Sequence, residues 1–246
     1  MFHVAANTAA LIVTAETDLA TVADPMLAVF NGHWFPQDPP QLIFAAAMGP
    51  YLARARIQTP TLGLMTTPFI RGMMLSAVPT SPASLANYYM NPLQLKAQEE
   101  IIVQVTDNAI TSSQDTVLLG LQFGPNPPAN GSIYTMRGTA TTAATANKWT
   151  QLTMTWQNQL PQGRYAAVGM QHQSTNAQAA RLIFLGQYYR PGCMSLANLQ
   201  DVGHPMFRMG YMGQWGVWNN NIMPNIEVLC NGADASHEVY LDFMAL

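Results

Sequence analysis

The sequence predicts an all-β chain organised as two tandem β-sandwiches. Three observations predict it. Apolar residues recur at every second position in several segments, proline or glycine punctuates the chain roughly every 8 to 15 residues, and strand-like segments of the first half return in the same order in the second. With 49% hydrophobic residues among 246, and aromatics spread along the whole length, the chain can bury a substantial core and is not disordered.

The elements follow from local pattern. Continuous apolar runs at Ile101-Ile102-Val103, Val117-Leu118-Leu119 and Leu182-Ile183-Phe184-Leu185 suit strands buried on both sides. In Gln151-Leu152-Thr153-Met154-Thr155-Trp156, the residues Leu152, Met154 and Trp156 share one face and the polar residues the other. Val239, Leu241 and Phe243 alternate in the same way with Glu238, Tyr240 and Asp242. The best helical candidate is Ser81 to Leu95, which Pro82 and Pro92 restrict to a turn or two.

Gly124-Pro125-Asn126-Pro127-Pro128-Ala129-Asn130-Gly131 interrupts every periodicity and divides the chain into a lobe of residues 1–126 and a lobe of residues 127–246. Four features recur across this break. Ala45-Ala46-Ala47-Met48-Gly49 is echoed by Ala166-Ala167-Val168-Gly169-Met170, and Ala53-Arg54-Ala55-Arg56-Ile57 by Ala179-Ala180-Arg181-Leu182-Ile183. Glu100-Ile101-Ile102-Val103, leading into Thr106-Asp107-Asn108-Ala109, matches Ile226-Glu227-Val228-Leu229 with Asn231-Gly232-Ala233-Asp234. Thr116-Val117-Leu118-Leu119 matches Glu238-Val239-Tyr240-Leu241, and the paired features stand roughly 120 to 127 residues apart. A single extended sandwich with look-alike strands is the alternative.

Charge is the second strong signal. Only 9% of residues are charged, lysine occurs at Lys96 and Lys148 alone, and the formal net charge is -3. Soluble domains usually carry about 25% charged residues. A surface so poor in charge points to burial against neighbouring copies, hence to a subunit of an assembly. No apolar run approaches the roughly 20 residues of a membrane-spanning helix. The N-terminal residues lack a basic n-region, so a signal peptide is not expected. Cys193 and Cys230 are read as reduced buried thiols, with a single bridge as the alternative.

No catalytic constellation stands out, and the chain is read as a non-enzyme. His3, His33, His172, His204 and His237 are scattered without metal-ligand spacing, and no serine lies in a nucleophile elbow. Gly210, Gly213 and Gly216 lie among aromatics without a phosphate-binding lysine and read as a glycine-kinked strand or loop. Asp107, Asp115 and Asp234 fit no calcium loop and read as solvated turns. No metal or organic cofactor is expected. Arg54 and Arg56 would share a strand face, with Arg71 nearby, but two or three arginines without a basic tail do not make a nucleic-acid surface. They suit an interface.

A charge-poor, Thr/Asn/Gln/Met-rich all-β chain with paired halves and no active site resembles the major capsid proteins of tailless icosahedral DNA viruses, in the style of the double jelly-roll lineage of membrane-containing bacteriophages and adenoviruses. The resemblance is architectural and covers the whole chain. It implies two jelly-roll-like sandwiches and a structural protein of the virion. It further implies self-association through homotrimers into a lattice, with other virion proteins or an internal membrane as further candidate partners. Halves of about 120 residues are short for that family, so a single jelly roll with an N-terminal extension is the alternative fold. The alternative function is a phage fibre or decoration protein, or a carbohydrate-binding β-sandwich. Interface candidates are Arg54, Arg56, Tyr188, Tyr189, Tyr211, Trp215 and Trp218, the aromatics also being candidates for a sugar-stacking platform.

Overall fold

The computed structural model describes residues 2–11, 14–24, 28–29, 32–34, 40–60, 69–71, 73–74, 85–107, 113–196 and 204–246. The chain divides into two compact units, one of Ala5–Pro79 and Ala83–Phe123, the other of Gly124–Leu246 with Met1–Val4 and Thr80–Pro82.

The first unit is built from β1 (Phe2–Leu11, of which residues from Ala5 belong here), β2 (Thr17–Asp18), β3 (Ala28–Val29), β4 (His33–Trp34), β5 (Gln41–Gly49) and β6 (Leu52–Gln58). It continues with β7 (Phe69–Arg71), β8 (Met73–Met74), β9 (Leu85–Asn87), β10 (Leu93–Gln94), β11 (Glu100–Asp107) and β12 (Ser113–Gln122). One sheet runs β1-β12-β5-β10, with β8 and β9 also on β5; the other runs β3-β4-β11-β6-β7, with β2 also on β11. Leu42, Ala45, Ala47, Val117, Leu119 and Leu121 from the first sheet pack with Ala55, Ile57, Ile101, Val103 and Val105 from the second to form the core. The two sheets are therefore the layers of a sandwich.

The second unit repeats the plan with β13 (Tyr134–Ala140), β14 (Trp149–Leu152), β15 (Thr155–Trp156), β16 (Arg164–Gln173), β17 (Ala177–Ile183), β18 (Gly192–Leu196), β19 (Gly216–Asn219), β20 (Asn225–Cys230) and β21 (His237–Ala245). One layer runs β19-β16-β21-β13-β15 and the other β14-β20-β17-β18. The strand β18 joins them, pairing antiparallel with β17 through Gly192–Met194 and parallel with β16 through Ser195 and Leu196.

Taking β1, β4, β5, β6, β7, β10, β11 and β12 as the eight principal strands of the first unit, and β13, β14, β16, β17, β18, β19, β20 and β21 as those of the second, one sheet places the first beside the eighth, then the third and the sixth. The other places the second beside the seventh, then the fourth and the fifth. This is the jelly-roll order, and both units have it. The four repeated sequence features are the strands β5 and β16, β6 and β17, β11 and β20, and β12 and β21. They pair alike: β12 lies antiparallel on β5 as β21 does on β16, and β11 lies antiparallel on β6 as β20 does on β17.

Local pattern explains most of the burial. Two expected strands are cut short: Leu182-Ile183-Phe184-Leu185 leaves its sheet after Ile183, with Leu185 exposed in the turn that follows, and Gln151 to Trp156 is divided between β14 and β15, which pair with β20 and β13 in different layers. Two further corrections apply. Val117, Leu118 and Leu119 are buried on both faces of their strand, as the apolar run requires. In β11, however, burial alternates strictly, and Ile102 lies on the half-exposed face with Gln104. The run Ile101-Ile102-Val103 therefore belongs to a half-buried strand. The second correction concerns 81–95: its described part forms β9 and β10, separated by a turn, and residues 81–84 lie outside the described set. Leu85–Asn87 and Leu93–Gln94 find backbone partners on β5, which a helix broken at Pro92 could not match.

The proline-rich break at 124–131 is fastened to its own unit. Gln214 donates its backbone N–H to the Pro127 carbonyl at 2.8 Å, and the Asn126 carboxamide donates to the Met212 carbonyl at 2.8 Å. Gly210 and Gly213 hold φ of +76° and +72° in the facing turns, a backbone region that favours glycine. Gly210 and Gly213 are thus turn residues packed on the break, while Gly216 opens β19 and leaves room for the Phe184 ring.

Candidate functional site

The aromatics split between core and surface in a way their spacing does not disclose. Trp215 packs edge-on against Phe2 with ring centroids 5.1 Å apart, and Trp218 sits among Tyr165, Phe184 and Phe243 at 5.8 to 6.3 Å. Both tryptophans are buried. They are core residues and not part of a surface platform: Trp218 lies on the inward face of β19, and Trp215, just ahead of that strand, is buried against Phe2. Tyr188 is 79% exposed, Tyr211 is exposed and Tyr189 is half-buried. Leu185, also 79% exposed, lies in the turn that immediately precedes Tyr188. That turn closes through a Gln187 to Phe184 backbone hydrogen bond of 3.1 Å and a left-handed Gly186.

Arg54 and Arg56 do lie on one face of β6. Opposite them on β11 stand Thr106 and Gln104, and on β7 the partner of Arg54 is Arg71. Arg56 donates to the Gln104 side chain at 2.6 and 3.1 Å and stands 3.3 Å from Glu16, while Arg54 reaches Thr106 at 3.4 Å. Other guanidinium groups are also engaged. Arg181, wholly buried, and Arg190 converge on one oxygen of Glu227 at 2.8 and 2.6 Å. The Arg181 guanidinium also stacks 3.9 Å above the Trp149 ring. Arg208 grips the buried Asp242 with two hydrogen bonds of 2.6 and 3.0 Å, and Arg137 pairs with Glu238. Arg56, Arg137 and Arg208 thus each face one carboxylate of their own unit, while Arg181 and Arg190 share the Glu227 carboxylate.

Two of the five histidines meet in a way the sequence does not reveal. His172 on β16 and His237 on β21 stack with ring centroids 5.5 Å apart. Nδ1 of His172 and Oγ of Ser195 share a hydrogen bond of 2.6 Å. A serine beside an imidazole is the first half of a nucleophile and base. Both residues are buried, and burial, followed by the charge of His237, lowers the His172 pKa to about 3. A base this weak in a sealed site activates nothing near neutral pH. Asp234, read from sequence as a solvated turn, is a loop staple instead. It accepts from Ser174 Oγ at 2.5 Å and from the backbone of Asn176 and Ser236, and these bonds outweigh burial and hold its pKa below the ordinary carboxylate value. Asp107 and Asp115, for which the same reading was given, are buried strand residues. Among the described residues no three His, Cys, Asp or Glu side chains converge as metal ligands would.

A cavity of about 330 Å³ opens in the second unit between the segments 156–160 and 220–223. Trp156, Asn158, Gln159, Asn220 and Asn221 line it, with Leu160 and Met223 completing the wall. No lining residue is ionisable. Sequence reasoning passed over this site, although a signal exists: Trp156-Gln157-Asn158-Gln159 and Trp218-Asn219-Asn220-Asn221 are both a tryptophan followed by a run of amides.

No protein-family model matches the chain, and no curated protein matches it in sequence. Two solved structures are similar to it. The major capsid protein from bacteriophage PM2 has a TM-score of 0.27 at 9% identity, covering 100% of this chain and 97% of that one. The STIV MCP has a TM-score of 0.26 at 8% identity, with the same coverage of 100% and 97%. Likenesses this distant carry no argument, and the jelly-roll order rests on the strand pairing alone.

Proposed function

We propose that the chain is a structural subunit of a viral capsid, acting by self-association into a shell through trimers. The observation that carries this reading is two units of one jelly-roll order in a single chain that is only 9% charged. Jelly rolls serve viral shells and lectins alike, so the fold alone does not choose between them. The charge does. Arg56, Arg137 and Arg208 each pair with a carboxylate of their own unit and Arg181 and Arg190 share that of Glu227, so even fewer charges remain to keep a lone copy apart from its neighbours.

Contacts between copies would then be mainly apolar and neutrally hydrogen-bonded, with the exposed Leu185 and Tyr188 suited to dock on another copy. Arg54 and Tyr211 are further contact candidates. Three copies of a chain with two similar units present six units around one axis, which favours the trimer as the building block. Partners are accordingly copies of the same chain, and contact with the genome is not required.

Light scattering at low and high salt tests the reading. Coulomb attraction between exposed charges is screened within about 8 Å at physiological ionic strength, whereas apolar burial is little weakened. Oligomers should persist at high salt and should weaken in the Leu185→Asp, Tyr188→Ala variant. A monomer at micromolar concentration under both conditions overturns the proposal.

A further inference from the structure

The cavity between segments 156–160 and 220–223 is built to receive something small, polar and uncharged. Its walls are preorganised on both sides. Trp156 on β15 stands opposite Gly138 on β13. A Cβ at Gly138 would lie 2.6 Å from Cε3 and 2.8 Å from Cζ3 of the indole, so the bare glycine is what lets the six-membered ring lie against the strand. On the other wall, Asn220 donates its backbone N–H to the Gly163 carbonyl at 3.1 Å and accepts from the Gly163 N–H at 3.4 Å, which ties the second segment to the chain just before β16. Fixed walls reduce the ordering cost of binding.

We infer that this cavity is a saccharide-binding subsite for a neutral sugar. Three features select that ligand class. Asn158, Gln159 and Asn221 are exposed carboxamides, each presenting a donor and an acceptor in one plane, the match for a hydroxyl that does both. The half-buried indole of Trp156 offers a flat apolar surface of the kind on which the C–H face of a pyranose rests. The absence of any lysine, arginine or carboxylate from the lining leaves nothing to pair with a phosphate or an acidic sugar. The volume of about 330 Å³ lies at the small end of ligand pockets, sized for a terminal sugar residue. The inference is independent of the assembly reading, since the site lies within one unit.

Saturation-transfer NMR on the full chain tests it, using the methyl glycosides of glucose, galactose and N-acetylglucosamine, with glucuronate as the charged comparison. Transfer to at least one neutral glycoside is expected, with weaker transfer to glucuronate. Trp156→Ala should weaken that binding about tenfold. Asn221→Ala, an exposed site whose loss leaves the fold intact, should weaken it about fivefold. No transfer to any neutral glycoside, a preference for glucuronate, or unchanged binding by a folded Asn221→Ala chain overturns the inference.

Discussion

His172 and His237 stack their imidazoles face to face, 25° from parallel, in the interior of the second jelly roll. Nε2 of His172 and Nδ1 of His237 have no hydrogen-bond partner among the described residues. Two unpartnered buried ring nitrogens are tolerable only while both rings are neutral.

Acid lability follows from that pair. Burial lowers the His172 pKa from 6.5 to about 3 and also lowers that of His237. The unfolded chain therefore binds more protons than the folded one below pH 6.5. Stability is full above that value and falls as pH drops toward 3, by up to about 1.4 kcal/mol per pH unit for His172. Urea unfolding at pH 7, 6 and 5 should show this loss, and His172→Gln should flatten the slope. An equally steep slope in the variant would place the acid sensitivity elsewhere.

The Arg208–Asp242 pair should be costly to break. Asp242 is wholly buried and accepts two bonds from Arg208, one from the Met209 N–H at 3.0 Å and one from Thr135 Oγ1 at 2.6 Å. Asp242→Ala leaves the Arg208 guanidinium without its carboxylate, at a cost of about 3–5 kcal/mol. Denaturant midpoints of the variant and the parent chain measure it.

Two glycines should respond differently to alanine. At Gly192 a methyl group would run into the Ala180 carbonyl and the backbone of Arg181, neither of which can swing away. At Gly120 it would meet the ring of Phe44, its cross-strand partner, a side chain and not backbone. Gly192→Ala should lower the thermal midpoint more than Gly120→Ala, the latter costing about 1–3 kcal/mol as ordinary overpacking.

The two cysteines should be silent to thiol reagents. Cys193 and Cys230 are free and buried, and burial pushes each thiol up to about 12. The reactive thiolate is then scarce at neutral pH. Dithionitrobenzoate should label neither residue in the native chain and both after unfolding in urea. Native labelling at either position would contradict the burial.

What the sequence determined by itself was the order of the strands and the recurrence of four of them, because a period of two and a proline break are properties of consecutive residues. Val239, Leu241 and Phe243 turn inward as their alternation requires, but Asp242, expected on the polar face, is wholly buried as well because Arg208 covers it. Even the equivalence of the two units was legible, in the matched order of β5, β6, β11 and β12 with β16, β17, β20 and β21. Local pattern did not reach the two-sided or one-sided burial of an apolar run, which depends on what lies across the sheet. Ile102 and Leu118 look alike in sequence and differ in exposure for that reason. Nor could it sort the tryptophans, since an indole serves core and surface equally well. Tertiary structure alone put Trp218 among Tyr165, Phe184 and Phe243, brought His172 to His237 across 65 residues, and closed one cavity from two amide-rich segments more than 60 positions apart. Those contacts are made by strand pairing and sheet packing between distant parts of the chain, which no local pattern specifies.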